Sequence, residues 1–269
     1  MIPGLSSYTY TWAVGVPEHE PGTCLTAFDL VDLTIKAGMT VLQIADNLPL
    51  HKHDASELRE LKEYSAANGI SIEVGTRKLD AKTLNTYIPI ASFFGSPFLR
   101  IVIDEGSYKP ELAEIKKIIL EALPEFKSRG IKLAIENHDR LTCRQFIEIV
   151  ESTDPEWVGI CLDTVNSLGA GEGLETVVDR LAPLAINFHV KEFRIFRPDH
   201  KMGFIVEGAI LGKGILPLEE ILPKLGKNCR TAILEQWTPP SGTIEATIEK
   251  EYEWASKSAK YLKSKFKHH

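Results

Sequence analysis

The chain has 269 residues, 43% of them hydrophobic and 25% charged, a balance that supports a large buried core and excludes disordered, collagen-like and fibrous classes. Lys and Arg number 31 against 37 Asp and Glu, so the net charge of -6 draws neither a polyphosphate nor an anionic membrane at long range. There is no apolar run of about 20 residues to span a bilayer, and the start, MIPGLSSYTYTW, lacks the basic and apolar regions of a secretory signal. Four cysteines, Cys24, Cys143, Cys161 and Cys229, form no CxxC and no ligand-like cluster. These features predict a cytoplasmic protein with reduced thiols and neither a nucleic-acid nor a membrane partner. Residues 267–269, Lys-His-His, read as a tag remnant, leaving 1–266 as a single domain.

Eight short runs rich in Val, Ile, Leu and Phe recur along the chain, each followed by an amphipathic stretch with helical spacing. They are Gly4 to Tyr10, Thr40 to Ala45, Ile70 to Gly75, Phe98 to Ile103, Ile131 to Glu136, Val158 to Asp163, Ala185 to Val190 and Thr231 to Gln236. Nearly continuous apolar runs predict parallel strands buried on both faces. Gly38, Gly69, Gly95 and Gly130 each stand where a left-handed residue stops a helix, and Asp54-Ala55-Ser56-Glu57 and Pro110-Glu111 open helices. Eight βα units in a chain of this length predict a (β/α)8 TIM barrel, with an open doubly wound sheet as the alternative.

In such a barrel, chemistry collects at the carboxyl ends of the strands. The last four predicted strands end on Glu136, Asp163, His189 and Glu235. Three carboxylates after apolar runs need compensation. One divalent metal ion provides it, and three oxygen donors with one imidazole suit Mn, Mg, Co or Zn.

These residues carry a family likeness. With IENHD at 135–139, CLDTVNSLGAGEG at 161–173, HVKEF at 189–193 and ILEQW at 233–237, the chain resembles, over essentially its full length, the xylose isomerase-like superfamily of sugar isomerases and epimerases, which also holds lyases and the endonuclease IV type of repair enzyme. The resemblance implies that Glu136, Asp163, His189 and Glu235 bind one catalytic divalent metal. It further implies, for the ketose 3-epimerase branch, that Glu136 and Glu235 are a proton-transfer pair, and it implies homo-oligomers. Asn166 departs from that branch, standing where a substrate-contacting His is usual.

Four further residues are candidate substrate contacts. His138 shares the side of Glu136 on an extended segment, and Lys191 shares the phase of His189 on the seventh strand. His53 follows the second strand, and Arg194 opens the long segment Glu192 to Gly214, whose cations fit a carboxylate or a phosphate. FIVEG in that segment reads as the second arm of a hairpin turning near Pro198-Asp199, and Gly212-Lys213-Gly214 lies where barrels often hold phosphate. Trp12 and Trp237 stand where they could close the pocket.

The leading expectation is a metal-dependent sugar isomerase or epimerase that works through an enediolate on a small keto sugar or sugar acid. The alternative is a metal-dependent lyase, a decarboxylase or dehydratase of a keto sugar acid on the same site. An endonuclease IV-like repair enzyme is opposed by the acidic charge, and a non-catalytic sugar sensor is the binding-protein alternative.

Overall fold

A computed structural model describes residues 1–266; the segment read as a tag remnant lies outside the described residues. Among the described residues ten strands occur: β1 Ile2–Ser6, β2 Val41–Ile44, β3 Ser71–Arg77, β4 Phe98–Val102, β5 Lys132–Glu136, β6 Val158–Asp163, β7 Ala185–Lys191, β8 Phe193–Phe196, β9 Ile205–Gly208 and β10 Thr231–Glu235. Eight of them close a parallel barrel in the order β1-β10-β7-β6-β5-β4-β3-β2, which settles the choice against an open sheet. Each predicted run supplies one barrel strand. The first begins earlier than expected and stops at Ser6, because the Ser6 side chain accepts the Tyr8 N–H and caps a 3-10 turn over Ser7–Tyr10.

The helix punctuation follows the sequence closely. Gly38, Gly69, Gly95 and Gly130 have φ of 63°, 70°, 69° and 68°, so each ends its helix in the left-handed region. Asp54 accepts the N–H groups of Ser56 and Glu57 while Glu57 returns a bond to the Asp54 N–H, a capping box that starts the helix Ala55–Ala67. Among the described residues no helix is long and apolar enough to cross a membrane.

The β6–β7 ladder is irregular: Ile160 pairs with Ala185 and Cys161 with Asn187, so Ile186 is an extra residue. Beyond this bulge Phe188 and Val190 join the main apolar core, while Asn187, His189 and Lys191 bond to residues of other barrel strands inside the lumen. The bulge thus sets the phase that aims the end of β7 into the site. The predicted hairpin is present as β8 paired antiparallel with β9. Its base is packed so closely on Trp237 that a Cβ at Gly208 would collide with the Trp237 carbonyl.

Candidate metal centre and active site

Glu136, Asp163, His189 and Glu235 converge at the carboxyl ends of β5, β6, β7 and β10, and each is at most 2% exposed. His189 Nδ1 lies 3.4 Å from both Glu136 Oε2 and Glu235 Oε1. One oxygen each from Asp163 and Glu235 and a ring nitrogen of His189 also lie within 4.8 Å of one another. Metal bonds of about 2.1 Å at angles of about 90–110° place neighbouring donors about 3.0–3.4 Å apart, so the spacing around Nδ1 is that of a coordination shell.

One atom tests whether an ion fits. His189 Nδ1 is buried without a hydrogen bond, and the other ring nitrogen, Nε2, is engaged by Gln43 Oε1 at 2.6 Å. Gln43 accepts there, so Nε2 carries the ring hydrogen and Nδ1 turns a lone pair toward two carboxylate oxygens, an arrangement that calls for a cation. The residues present therefore fit a divalent ion. Cys161 also lies near Glu136 and His189, but its thiol donates to Asn187 Oδ1 at 3.0 Å in the layer below.

Fixed cations brace the same carboxylates. Arg100, in the middle of β4 and 2% exposed, donates Nε to Glu136 Oε2 and Nη1 to Asp46 Oδ1 at 2.8 Å. Arg77 Nε reaches the second Asp46 oxygen at 2.9 Å, and the Tyr8 hydroxyl donates to it at 2.9 Å. Lys191 Nζ stands 2.8 Å from Asp163 Oδ2 and 3.0 Å from Glu235 Oε2. Burial opposes the Lys191 charge, but Asp163, Glu235 and Glu136 outweigh it and hold its pKa above the usual lysine range. Burial likewise opposes the Glu235 anion, and the fixed charges of Lys191 and Arg100 offset it.

Asn166, the departure from the epimerase pattern, bonds to two of the candidate ligands. Its side-chain amide donates to Glu136 Oε1 at 2.8 Å, and its backbone N–H joins that of Val165 on Asp163 Oδ1. Beside these groups a pocket of about 280 Å³ is lined by Tyr8, Arg77, Arg100, His138, Asn166, Lys191 and Trp237 together with Glu136, Asp139 and Glu235. Trp237 is 40% exposed and places its ring 5.2 Å from Lys191 Nζ, so it stands at the mouth.

The structure thus gathers the four strand-end donors with Lys191 and His138. It places His53 and Arg194 elsewhere. His53 is 3.4 Å from Glu57 on the following helix, and Arg194 pairs with Glu207 across the hairpin, stacked on Phe196. β8 belongs to a two-stranded sheet separate from the barrel, which leaves Arg194 exposed while Lys191 stays buried in the lumen. Trp12 is turned aside by its indole bond to the Thr238 carbonyl. The presumed phosphate seat is occupied from within: the N–H groups of Phe193, Gly212 and Leu216 all donate to the Glu192 carboxylate. Arg100, Asp46 and Gln43 were not singled out in the sequence, although each is a lone polar residue within or just after an apolar run.

A parallel (β/α)8 barrel with a candidate divalent-metal site at the carboxyl ends of its strands is the class that this fold and cup of donors define. Residues 31–264 match the xylose isomerase-like TIM barrel family, and the chain belongs to it. Among curated proteins it is 29% identical to 3-oxo-isoapionate decarboxylase of Pectobacterium atrosepticum over 264 residues, covering 97% of this chain and 95% of the relative. D-psicose 3-epimerase with D-tagatose from Clostridium cellulolyticum H10 shares the fold with a TM-score of 0.72 at 14% identity, covering 98% of this chain and 99% of that one. A xylose isomerase-like TIM barrel protein from Mycobacterium smegmatis in complex with magnesium has a TM-score of 0.70 at 13% identity, covering 97% and 98%.

Proposed function

We propose that this protein is a metal-assisted carbon–carbon lyase that decarboxylates a small, unphosphorylated, sugar-derived 3-oxo acid. The observation that carries the reading is the pairing of every carboxylate in the cup with a fixed cation: Lys191 with Asp163 and Glu235, Arg100 with Glu136. Proton exchange between two glutamates needs one of them free to accept and return a proton. Here both are tied to cations. Loss of carbon dioxide needs instead a cationic surrounding for the electron pair left behind, and a proton donor beside it.

Charge supports an acidic substrate. Among the ion-paired groups, Asp46, Glu136, Asp163 and Glu235 face Arg77, Arg100 and Lys191, which leaves one net negative charge, while Asp139 of the pocket is 68% exposed and lies against His138. A bound divalent ion would polarise the substrate keto oxygen and turn this balance into one positive charge, which a monocarboxylate neutralises. The decarboxylase relative, aligned over nearly the full length of both chains, favours the same substrate class. Glu192 in the phosphate seat opposes a phosphorylated one.

In this reading the bond from the carboxylate carbon to its neighbour breaks, carbon dioxide leaves, and the electron pair passes to the adjacent keto group as an enolate. Arg77, whose only hydrogen bond among the described residues is through Nε to Asp46, is available to orient the substrate carboxylate. Lys191 lends a proton to the enolate carbon and recovers it from solvent. Trp237 shields the mouth from water. The test is incubation of the metal-loaded protein with 3-oxo sugar acids, their phosphorylated counterparts and keto sugars, with products resolved by mass. Carbon dioxide from the unphosphorylated acids is expected; keto-sugar epimers of unchanged mass as the sole products would replace this reading with the isomerase one.

A further inference from the structure

Beneath the donors the barrel lumen holds a second polar layer: Gln43, Glu73, Asn187 and Thr231, each at most 6% exposed. Gln43 Nε2 donates to Glu73 Oε2 and to Asn187 Oδ1, both at 3.1 Å, so both amide hydrogens are used. Asn187 is itself oriented, since its Oδ1 accepts from the Cys161 thiol at 3.0 Å while its Nδ2 donates to Thr231 Oγ1 at 2.9 Å. Turning the Gln43 amide over would set its carbonyl oxygen against two acceptors. Its oxygen is therefore held on His189 Nε2 at 2.6 Å.

We propose that Gln43 and Glu73 are positioning residues that hold the ring hydrogen of His189 on Nε2, keeping Nδ1 free for a metal ion; the inference rests on the metal reading of the site. Without them the balance runs the other way, because Glu136 Oε2 and Glu235 Oε1, both 3.4 Å from Nδ1, would draw the hydrogen to that nitrogen. An incoming ion would then have to displace it. The lower layer thus counteracts the pull of the ligands on their own histidine, as outer partners of metal-bound imidazoles commonly do.

The test combines nitrogen-resolved NMR of the histidine rings in metal-free protein, with His189→Asn identifying the signal, and calorimetric titration with Co(II). Wild type should show hydrogen on Nε2 and a bare Nδ1. Gln43→Met should move the hydrogen to Nδ1 and weaken Co(II) binding about 10–100-fold. Glu73→Met should shift both readouts in the same direction, and Gln43→Glu, which keeps an acceptor, should restore Co(II) affinity. A purely structural role would lower the melting temperature and leave the tautomer unchanged. Hydrogen on Nδ1 in the wild type, alone or on both nitrogens, overturns the proposal whether or not the variants fold. An unchanged tautomer in folded Gln43→Met overturns it too. The expected tautomer shift without Co(II) binding to the wild type would uphold the positioning and remove the metal reading instead.

Discussion

Lys191 and Asp163 form a buried ion pair of 2.8 Å inside the cup of metal donors, so one carboxylate serves both a fixed ammonium and a candidate ion. The two cations compete for the same negative charge. A site that keeps both carries one net positive charge once loaded, and this links the donor geometry to an anionic substrate.

Replacing that ammonium separates binding from chemistry. Lys191→Met should bind Mn(II) more tightly than wild type, because the carboxylates lose their internal partner, while kcat falls about 10²-fold or more as expected for a lost proton donor. Calorimetry and turnover on the same preparation check this. A variant with wild-type kcat would remove Lys191 from the chemistry.

Arg100 carries a stability prediction. It is 2% exposed and joins Glu136 to Asp46, so Arg100→Met leaves both acids without their shared partner. Breaking a buried pair by removing one member costs about 3–5 kcal/mol, and urea unfolding should show a loss of that order together with loss of turnover. An unchanged urea midpoint would mean that solvent, rather than Arg100, compensates Glu136.

Much of this architecture is legible in the sequence. Apolar runs and glycine stops locate all eight barrel strands because parallel strands covered by helices must be apolar on their outer faces. The four donors are visible because each is a lone ligand-type residue at a strand end. Gln43, Glu73 and Arg100 escape the same reading: each is the one charged or amide residue inside a run taken as buried on both faces, and its partners are remote, with Gln43 bonded to Asn187 across 144 positions and Arg100 to Asp46 across 54. A polar residue in such a run signals a lumen-facing partner. Arg194 misleads because spacing alone does not show that the hairpin forms a sheet separate from the barrel.

Arg194→Ala should therefore leave kcat/KM within about twofold of wild type. Its guanidinium is 56% exposed and pairs with Glu207 on the same hairpin, where an ion pair contributes little. A large rise in KM would place this cation at the substrate after all.

Glu73 predicts a pH dependence of stability. Burial outweighs its bonds to Thr231 and Gln43 and pushes its carboxyl from 4.5 up to about 7. Between these values the folded chain holds a proton that the unfolded chain releases, so stability from this group is present below the lower value and is lost as pH rises through the upper one. The unfolding free energy of wild type minus that of Glu73→Gln should fall between about pH 5 and pH 8. Parallel profiles would show that Glu73 titrates at its ordinary value.

The central claim is tested most directly by mass spectrometry of one reaction: metal-loaded wild-type protein and an unphosphorylated sugar-derived 3-oxo acid in heavy water, with the released gas collected. The account predicts one carbon dioxide per acid consumed and a product ketone carrying one deuterium on the carbon that lost the carboxylate. Product of unchanged carbon count with deuterium exchanged beside the keto group would contradict it, and would mark Glu136 and Glu235 as a proton-transfer pair.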